Sequence, residues 1–237
     1  MRLAFDYHTH TVHSHGTGTV EDNVSAAVSL GLSAVGIADH SVRHAFYAVR
    51  DVEAYLKDID RAREKYRGVV EVKSALELNL LSPDGELDVP RGYEKEFDLL
   101  LFGFHKLVRF ARSPSALPFI LPKSHTEKAV RRFTAAYLSA IENYNVAVVT
   151  HIGYGLPVDK TAVAAAAAKK GVLLEINNSH PEFSVEELKG CLETGVNFIL
   201  SSDAHCPGDV GLAPHSIQKA QAAGVPLGRI VNAKEEA

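Results

Sequence analysis

The chain has 237 residues, 46% of them apolar, a formal net charge of −4 and a pI near 6.3. That length suits one domain of barrel size with a full core, and the acidic balance argues against long nucleic acids, which call for a basic surface. No apolar run reaches the length of a membrane span, Met1 to Asp6 reads as the start of a strand rather than a signal peptide, and Cys191 and Cys206 make no CxxC pair or disulfide framework, so a cytoplasmic enzyme is expected.

The first predicted strand, residues 3–7, runs into His8-Thr9-His10-Thr11-Val12-His13-Ser14-His15. Residues two apart on an extended segment point to the same side, so His8 and His10 can reach one metal ion together, and His15, further on, can reach a neighbouring ion. Thr19 and Asp22 open a helix that Gly31 closes. The second strand, 34–38, delivers Asp39 and His40, with Asp39 a candidate to orient the His40 ring. Arg43 and Arg50 come next as candidate substrate contacts. Asp51 caps a helix whose Val52, Tyr55, Leu56, Ile59 and Ala62 keep helical spacing, and Gly68 ends it.

The third strand, 69–78, carries two carboxylates, Glu71 and Glu77. Glu77 lies nearer its C-terminal end and is taken as the ligand; its two oxygens can bridge two ions. Pro83-Asp84-Gly85 marks a small hairpin between Leu80 and Val89. The fourth strand, 99–104, leads to His105 and then to an irregular loop over 106–123. Lys106, Arg109, Arg112 and Lys123 lie in that loop among Phe110, Phe119 and three prolines, as cations available to a phosphate at the mouth.

The fifth strand, 146–150, ends at His151, and Asp159 opens an alanine-rich helix that stops at Gly171. The sixth strand, 172–176, ends at Asn177, which reads as a cap of the strand end, and His180 beyond it is a candidate proton donor to a leaving group. Ser184 with Glu187 forms a capping box for a helix closed by Gly195. The seventh strand, 197–202, ends in Asp203-Ala204-His205. His13, His44, His125 and His215 read as surface residues, and no role is required of Cys206.

Strand–helix alternation of this kind makes a parallel sheet with covering helices, and seven strands favour a closed or nearly closed barrel. In such a barrel the C-terminal strand ends meet at one mouth, which gathers these His, Asp and Glu side chains into one pocket. A nitrogen and oxygen donor set without thiolate suits Zn, Mn or Fe. Nine ligands exceed what one tetrahedral ion takes, so two or three ions sharing carboxylates are expected.

The ordered series His8-x-His10, Ala38-Asp39-His40, Glu77, Gly103-Phe104-His105, Thr150-His151 and Ser202-Asp203-Ala204-His205 resembles the motifs of the PHP (polymerase and histidinol phosphatase) family. The resemblance runs from residue 3 to about residue 211. Glu175-Ile176-Asn177-Asn178-Ser179 and Asp84-Gly85-Glu86-Leu87-Asp88 are similar to the small bacterial phosphatases of the YcdX type. The resemblance implies a distorted seven-stranded (β/α)7 TIM-like barrel, here one domain over 1–237, with three metal ions at its mouth. Carried over by position, His8, His10, Glu77 and Asp203 hold the first ion, Glu77, His105 and His151 the second, and His15, His40 and His205 the third.

Three close cations favour an anionic substrate, so hydrolysis of a small phosphate monoester by a metal-activated hydroxide is the leading reading. Glu77 and Asp203 stand at the reacting centre, with His180 as the candidate acid. Rival readings are a histidinol-phosphate phosphatase, a nucleotide phosphodiesterase or nuclease, and a non-catalytic metal-binding module. A metal-dependent amidohydrolase is disfavoured by the absence of its bridging lysine.

Overall fold

The computed structural model describes residues 1–109, 126–180 and 182–235. In chain order its first half contains β1 (Arg2–Leu3), β2 (Phe5–Thr9), α1 (Val20–Ser29), β3 (Ala34–Ile37), α2 (Val52–Lys65), β4 (Glu71–Asn79) and β5 (Leu99–Gly103). The second half contains α3 (Glu127–Asn143), β6 (Val148–Val149), α4 (Lys160–Lys170), β7 (Leu173–Asn177), α5 (Val185–Leu192), β8 (Phe198–Ser201), α6 (Pro214–Ala222) and β9 (Ala233–Lys234). Arg112 and Lys123 of the predicted cationic loop, and His125, lie outside the described residues.

Four of the helices start where the sequence predicts. Thr19 with Asp22 and Ser184 with Glu187 form reciprocal capping boxes, and Asp51 and Asp159 each accept from the third residue on. Each satisfies a backbone N–H that has no partner within the helix. Gly171 ends α4 with φ +71, a left-handed conformation that glycine adopts without steric cost. The predicted hairpin beyond β4 is smaller than expected. It is a turn closed by one bridge between Leu80 and Leu87, with Leu81 N–H donating to the Glu86 carbonyl at 2.8 Å.

Strands β2 to β8 pair in sequence order, all parallel, into one seven-stranded sheet. The sheet curls until its edges touch: Thr9 bridges Ala204, and His10 N–H donates to the Ala204 carbonyl at 2.8 Å. One bridge in place of a full ladder, and a β6 of two residues, make this a distorted and nearly closed TIM-like barrel. The antiparallel pair β1–β9, outside the seven-strand expectation, ties the C-terminal segment back to the chain's start.

Side-chain alternation along the strands divides the core in two. Leu76, Leu78, Phe102, Leu174, Ile176, Phe198 and Leu200 pack outward against the helices, with Tyr55 and Tyr137. Ala38, Ala75, Leu101, Val148 and Ile199 form a smaller interior cluster, supported by Phe5, Tyr7, Leu99 and Leu173. Continuing the interior rows by two residues reaches Glu77 from Ala75, Glu175 from Leu173, and Ser201 and then Asp203 from Ile199. The barrel's own pleat therefore aims these polar groups at the mouth.

In β2 the register against β3 shifts between Asp6 and Thr9. An extra residue moves the side chains beyond it to the other face. Tyr7 and His8, neighbours in sequence, consequently both serve the interior.

Candidate metal centre

Glu77 is the hub. Its side chain is 1% exposed, with Oε1 2.8 Å from His151 Nε2, 3.1 Å from His105 Nε2 and 3.3 Å from His8 Nε2. Its Oε2 lies 2.9 Å from His40 Nδ1 and 3.8 Å from His10 Nε2. Asp203 Oδ1 stands 3.1 Å from His10 Nε2 and 3.6 Å from His8 Nε2. Beside them His15 and His40 stack at 4.8 Å between ring centres, and His205 stacks on His10 at 4.4 Å.

Three groups of donor atoms lie within 4.8 Å of one another: His10, His15, His40 and His205; His8, His10 and Asp203; and His40, Glu77 and His105. With His151 against Glu77, all nine residues expected as metal ligands meet at one mouth. His10 and His40 each belong to two groups, so the sites adjoin.

The backbone bends to achieve this. His151 has φ +24 and Asp203 φ +53. Each such non-glycine residue costs on the order of 1–3 kcal/mol and persists only where its surroundings over-determine it. Both lie just beyond a strand end, where the twist turns the side chain into the mouth.

The electrostatics favour cations. Burial alone would raise the pKa of Glu77, but His105, His8 and His40 outweigh it and hold the carboxyl well below its ordinary value. Asp203 is likewise held well down, against burial, by His8 and His10. Burial lowers His10 strongly, and burial with the nearby His40 brings His15 and His105 down to about 3. These three imidazoles are neutral at physiological pH and offer lone pairs.

His40 Nδ1 and Glu77 Oε2, 2.9 Å apart, are close enough for a hydrogen bond but lack its geometry, and among the described residues both remain buried without a hydrogen-bond partner. A carboxylate oxygen and an imidazole nitrogen buried side by side without partners are what a shared cation satisfies. His8 and His10 present their Nε2 atoms 3.2 Å apart. Two nitrogens at 2.0–2.1 Å from one tetrahedral ion stand about 3.4 Å apart, so the spacing fits. The donors are nitrogen and oxygen only, as Zn, Mn or Fe prefer.

A cavity of about 300 Å³ opens over this cluster, walled by His44, Tyr47, Lys106, Leu107, Tyr154 and His180 besides the ligands. His180 Nε2 lies 3.6 Å from Asp203 Oδ2, and its ring is 4.5 Å from Tyr154 and 5.0 Å from His151. Burial, then the neighbouring His151, lowers its pKa. Of the candidate substrate contacts, Lys106 lines the cavity, with Nζ 5.1 Å from the Tyr154 ring centre. Arg43, Arg50 and Arg109 are not among the lining residues. Arg43 and Arg109 instead join two loops through their backbones, Arg109 N–H to Arg43 carbonyl at 2.9 Å.

Three expectations need correction. Asp39 does not orient His40. Its carboxylate accepts from Thr11 N–H at 2.7 Å, from the Thr11 hydroxyl at 2.6 Å and from Ser14, because neighbours on an extended segment diverge. It braces the loop that carries His10 and His15. His44 is not a surface residue: it is 7% exposed and stacks on His40 at 5.1 Å. Asn177 does more than cap: Nδ2 donates to Glu175 at 2.9 Å and Asp203 at 3.1 Å, while Oδ1 receives the N–H of Ser179 and His180. Glu71 is exposed and pairs with Lys73 at 2.6 Å, which leaves Glu77 as the carboxylate of this strand at the site. Cys206 turns to Asp209 at 2.9 Å.

Glu175 is a site residue that sequence reasoning misses. It is 1% exposed, and it accepts from His8 Nδ1 at 2.6 Å and from His151 N–H at 2.7 Å. The available signal is a carboxylate inside an otherwise apolar strand, two residues before Asn177 on the same face.

Imidazoles and carboxylates converging on adjoining sites above a nearly closed parallel barrel define a multinuclear metal-dependent hydrolase. Over residues 6–179 the sequence matches the PHP domain, and the chain belongs to that family. It is a metal-dependent phosphoesterase, a hydrolase of phosphate esters. A probable phosphatase of Shewanella sediminis is 31% identical over 251 residues, covering 100% of this chain and 92% of that one. A probable phosphatase of Thermoanaerobacter pseudethanolicus is 30% identical, covering 98% and 91%. In fold the chain is similar to the histidinol phosphate phosphatase of Lactococcus lactis, solved with zinc, L-histidinol and phosphate. The TM-score is 0.65 with 18% identity, over 93% of both chains. No described helix is long and apolar enough to cross a membrane.

Proposed function

We propose that the protein is a phosphatase of the small bacterial YcdX type that hydrolyses a small phosphate monoester at a trinuclear site. The observation that carries this is Glu77, a buried carboxylate with His8, His40, His105 and His151 within 3.3 Å of its two oxygens. In this reading His8, His10, Glu77 and Asp203 hold one ion, Glu77, His105 and His151 a second, and His15, His40 and His205 a third, each Zn, Mn or Fe. When bound, the ions supply Lewis acidity that activates water and neutralises the phosphoryl oxygens.

The chain's own residues do the rest. Glu77 and Asp203 fix the reacting centre, and His180, at the cavity wall, gives its proton to the leaving oxygen. Its lowered pKa makes the imidazolium a stronger acid, and a scarcer one at neutral pH. Lys106 holds the anionic substrate at the rim and is the first substrate-binding residue to test, with Arg43, Arg50, Arg109 and Arg112 next. A cavity of about 300 Å³ is at the small end for ligand sites and favours a small ester over a polymer. One domain over 1–237 belongs to the same reading, supported by a core that runs from Leu3 to Ile230. So does a cytoplasmic location, supported by two free cysteines, Cys191 and Cys206.

The test is hydrolysis by protein loaded separately with Mn, Zn and Fe. Substrates are p-nitrophenyl phosphate, its bis-ester, and a panel of phosphorylated metabolites including histidinol phosphate and nucleotides. Turnover of monoesters with little on the bis-ester is the expected result. A preference for the bis-ester, or no turnover with any metal, overturns the proposal.

A further inference from the structure

Strand β7 is the one strand of the barrel whose end supplies none of the nine proposed ligands, yet it carries a buried carboxylate behind them that accepts four hydrogen bonds. Glu175 Oε1 accepts from His8 Nδ1 at 2.6 Å and from the Ser201 hydroxyl at 2.5 Å. Its Oε2 accepts from His151 N–H at 2.7 Å and Asn177 Nδ2 at 2.9 Å. His8 comes from β2 and His151 lies just beyond β6, so one side chain reaches ligands on opposite sides of β7's neighbourhood. We propose that Glu175 is a positioning residue that fixes His8 and His151 from behind and so holds two ion sites in register. The proposal rests on the trinuclear reading for the assignment of those sites.

Two physical arguments carry it. A carboxylate only accepts, so His8 must donate from Nδ1. In a neutral imidazole that leaves the lone pair on Nε2, which is the atom facing Glu77 at 3.3 Å, Asp203 at 3.6 Å and His10 at 3.2 Å. Glu175 thereby selects the tautomer that can bind metal. The second argument concerns His151. Its backbone stands at φ +24, a conformation that needs outside support. The hydrogen bond from its N–H to Glu175 supplies that support, at the residue whose Nε2 meets Glu77 at 2.8 Å.

A glutamine cannot replace this carboxylate. With its NH₂ toward His8 and Ser201 it forces the proton of His8 onto Nε2 and removes the metal-binding lone pair. With its NH₂ toward His151 it opposes two N–H donors. Loss of such an outer partner typically costs about 10–100-fold in metal affinity.

The experiment compares the wild-type full chain with Glu175→Gln, resolving the zinc equivalents by chelator competition and measuring the Mn²⁺ concentration for half-maximal hydrolysis of p-nitrophenyl phosphate. The expected result is two equivalents weakened about 10–100-fold and one unchanged, with excess metal restoring most of kcat. Equivalents bound as in wild type, or all weakened alike, overturn the proposal. A second measurement needs no variant. Long-range ¹H–¹⁵N spectra of zinc-loaded wild-type protein should show His8 protonated on Nδ1, and protonation on Nε2 overturns it. If the wild type hydrolyses no phosphate ester, the proposed function falls, while the zinc competition and the spectra still decide the role of Glu175.

Discussion

Gly103 and His151 stand so close that a Cβ on Gly103 would lie 2.7 Å from Cε1 of the His151 ring and 2.4 Å from Oγ1 of Thr150. The Thr150 hydroxyl in turn donates to Glu77 Oε1 at 3.1 Å. The end of β5 therefore has no room for a side chain, because the next strand's ligand and its neighbour fill that space. Gly103→Ala should displace His151 and Thr150 together and lower kcat/KM by about 10²-fold or more, since small misplacement of catalytic groups is costly. Far-UV circular dichroism should stay native. Near-normal turnover would mean that His151 can move without cost to the reaction.

The two carboxylates of β4 give a matched pair of variants. Glu71 is exposed and paired with Lys73, whereas Glu77 contacts imidazoles from four strand ends. Glu77→Ala should reduce the bound metal by more than one equivalent and cut kcat by at least about 10²-fold. Glu71→Ala should change neither beyond experimental scatter. Metal content by elemental analysis and initial rates at saturating metal decide between them. Equal effects from the two substitutions would dissolve the bridging role of Glu77.

The features that could be read from sequence are those set by neighbours in the chain. Capping boxes, glycine stops and two-residue alternation are local, and they account for Thr19, Ser184, Gly171 and the rows ending in Glu77 and Asp203. His8 and His10 are legible for an incomplete reason. The spacing puts them on one side, but the register shift between Asp6 and Thr9 decides that the side is the interior.

The residues that escape are set by contacts distant in sequence. His44 is buried because the loop after β3 pairs with the loop after β5, through a bridge between His44 and Val108. Asp6 accepts from Ser202 and from Gly211 N–H at 2.9 Å, joining both ends of the chain, which no local pattern encodes. Adjacency to His40 misleads about Asp39, whose true partners, Thr11 and Ser14, come from another loop.

Metal removal should destabilise the protein measurably. The site packs buried polar atoms, Glu77 Oε2 and His40 Nδ1 among them, that have no hydrogen-bond partner among the described residues. A ligand that binds only the folded state stabilises it by about 4 kcal/mol at a thousand times its dissociation constant, which in a domain of this size raises Tm by about 10 °C. Chelation should lower Tm by about that much, and restoring Mn or Zn should recover it. An unchanged Tm after verified metal loss would show that the folded state does not depend on the ions.

The last prediction concerns His180. Its ring is part of the cavity wall, 3.6 Å from Asp203 through Nε2, and its backbone is pinned by Asn177 Oδ1 at 2.9 Å. A proton donor is needed most by a leaving group that is a poor one, such as an alkoxide, and least by p-nitrophenolate. His180→Asn should therefore slow alkyl phosphates by about 10²-fold or more while slowing p-nitrophenyl phosphate much less. Metal content should stay at the wild-type value, since His180 is not among the proposed ligands. A loss that is the same for both leaving groups would remove His180 from proton transfer. It would then be a residue that shapes the cavity through its 4.5 Å contact with Tyr154, and the proton for the leaving oxygen would have to come from solvent or from another group of the cavity wall such as Lys106.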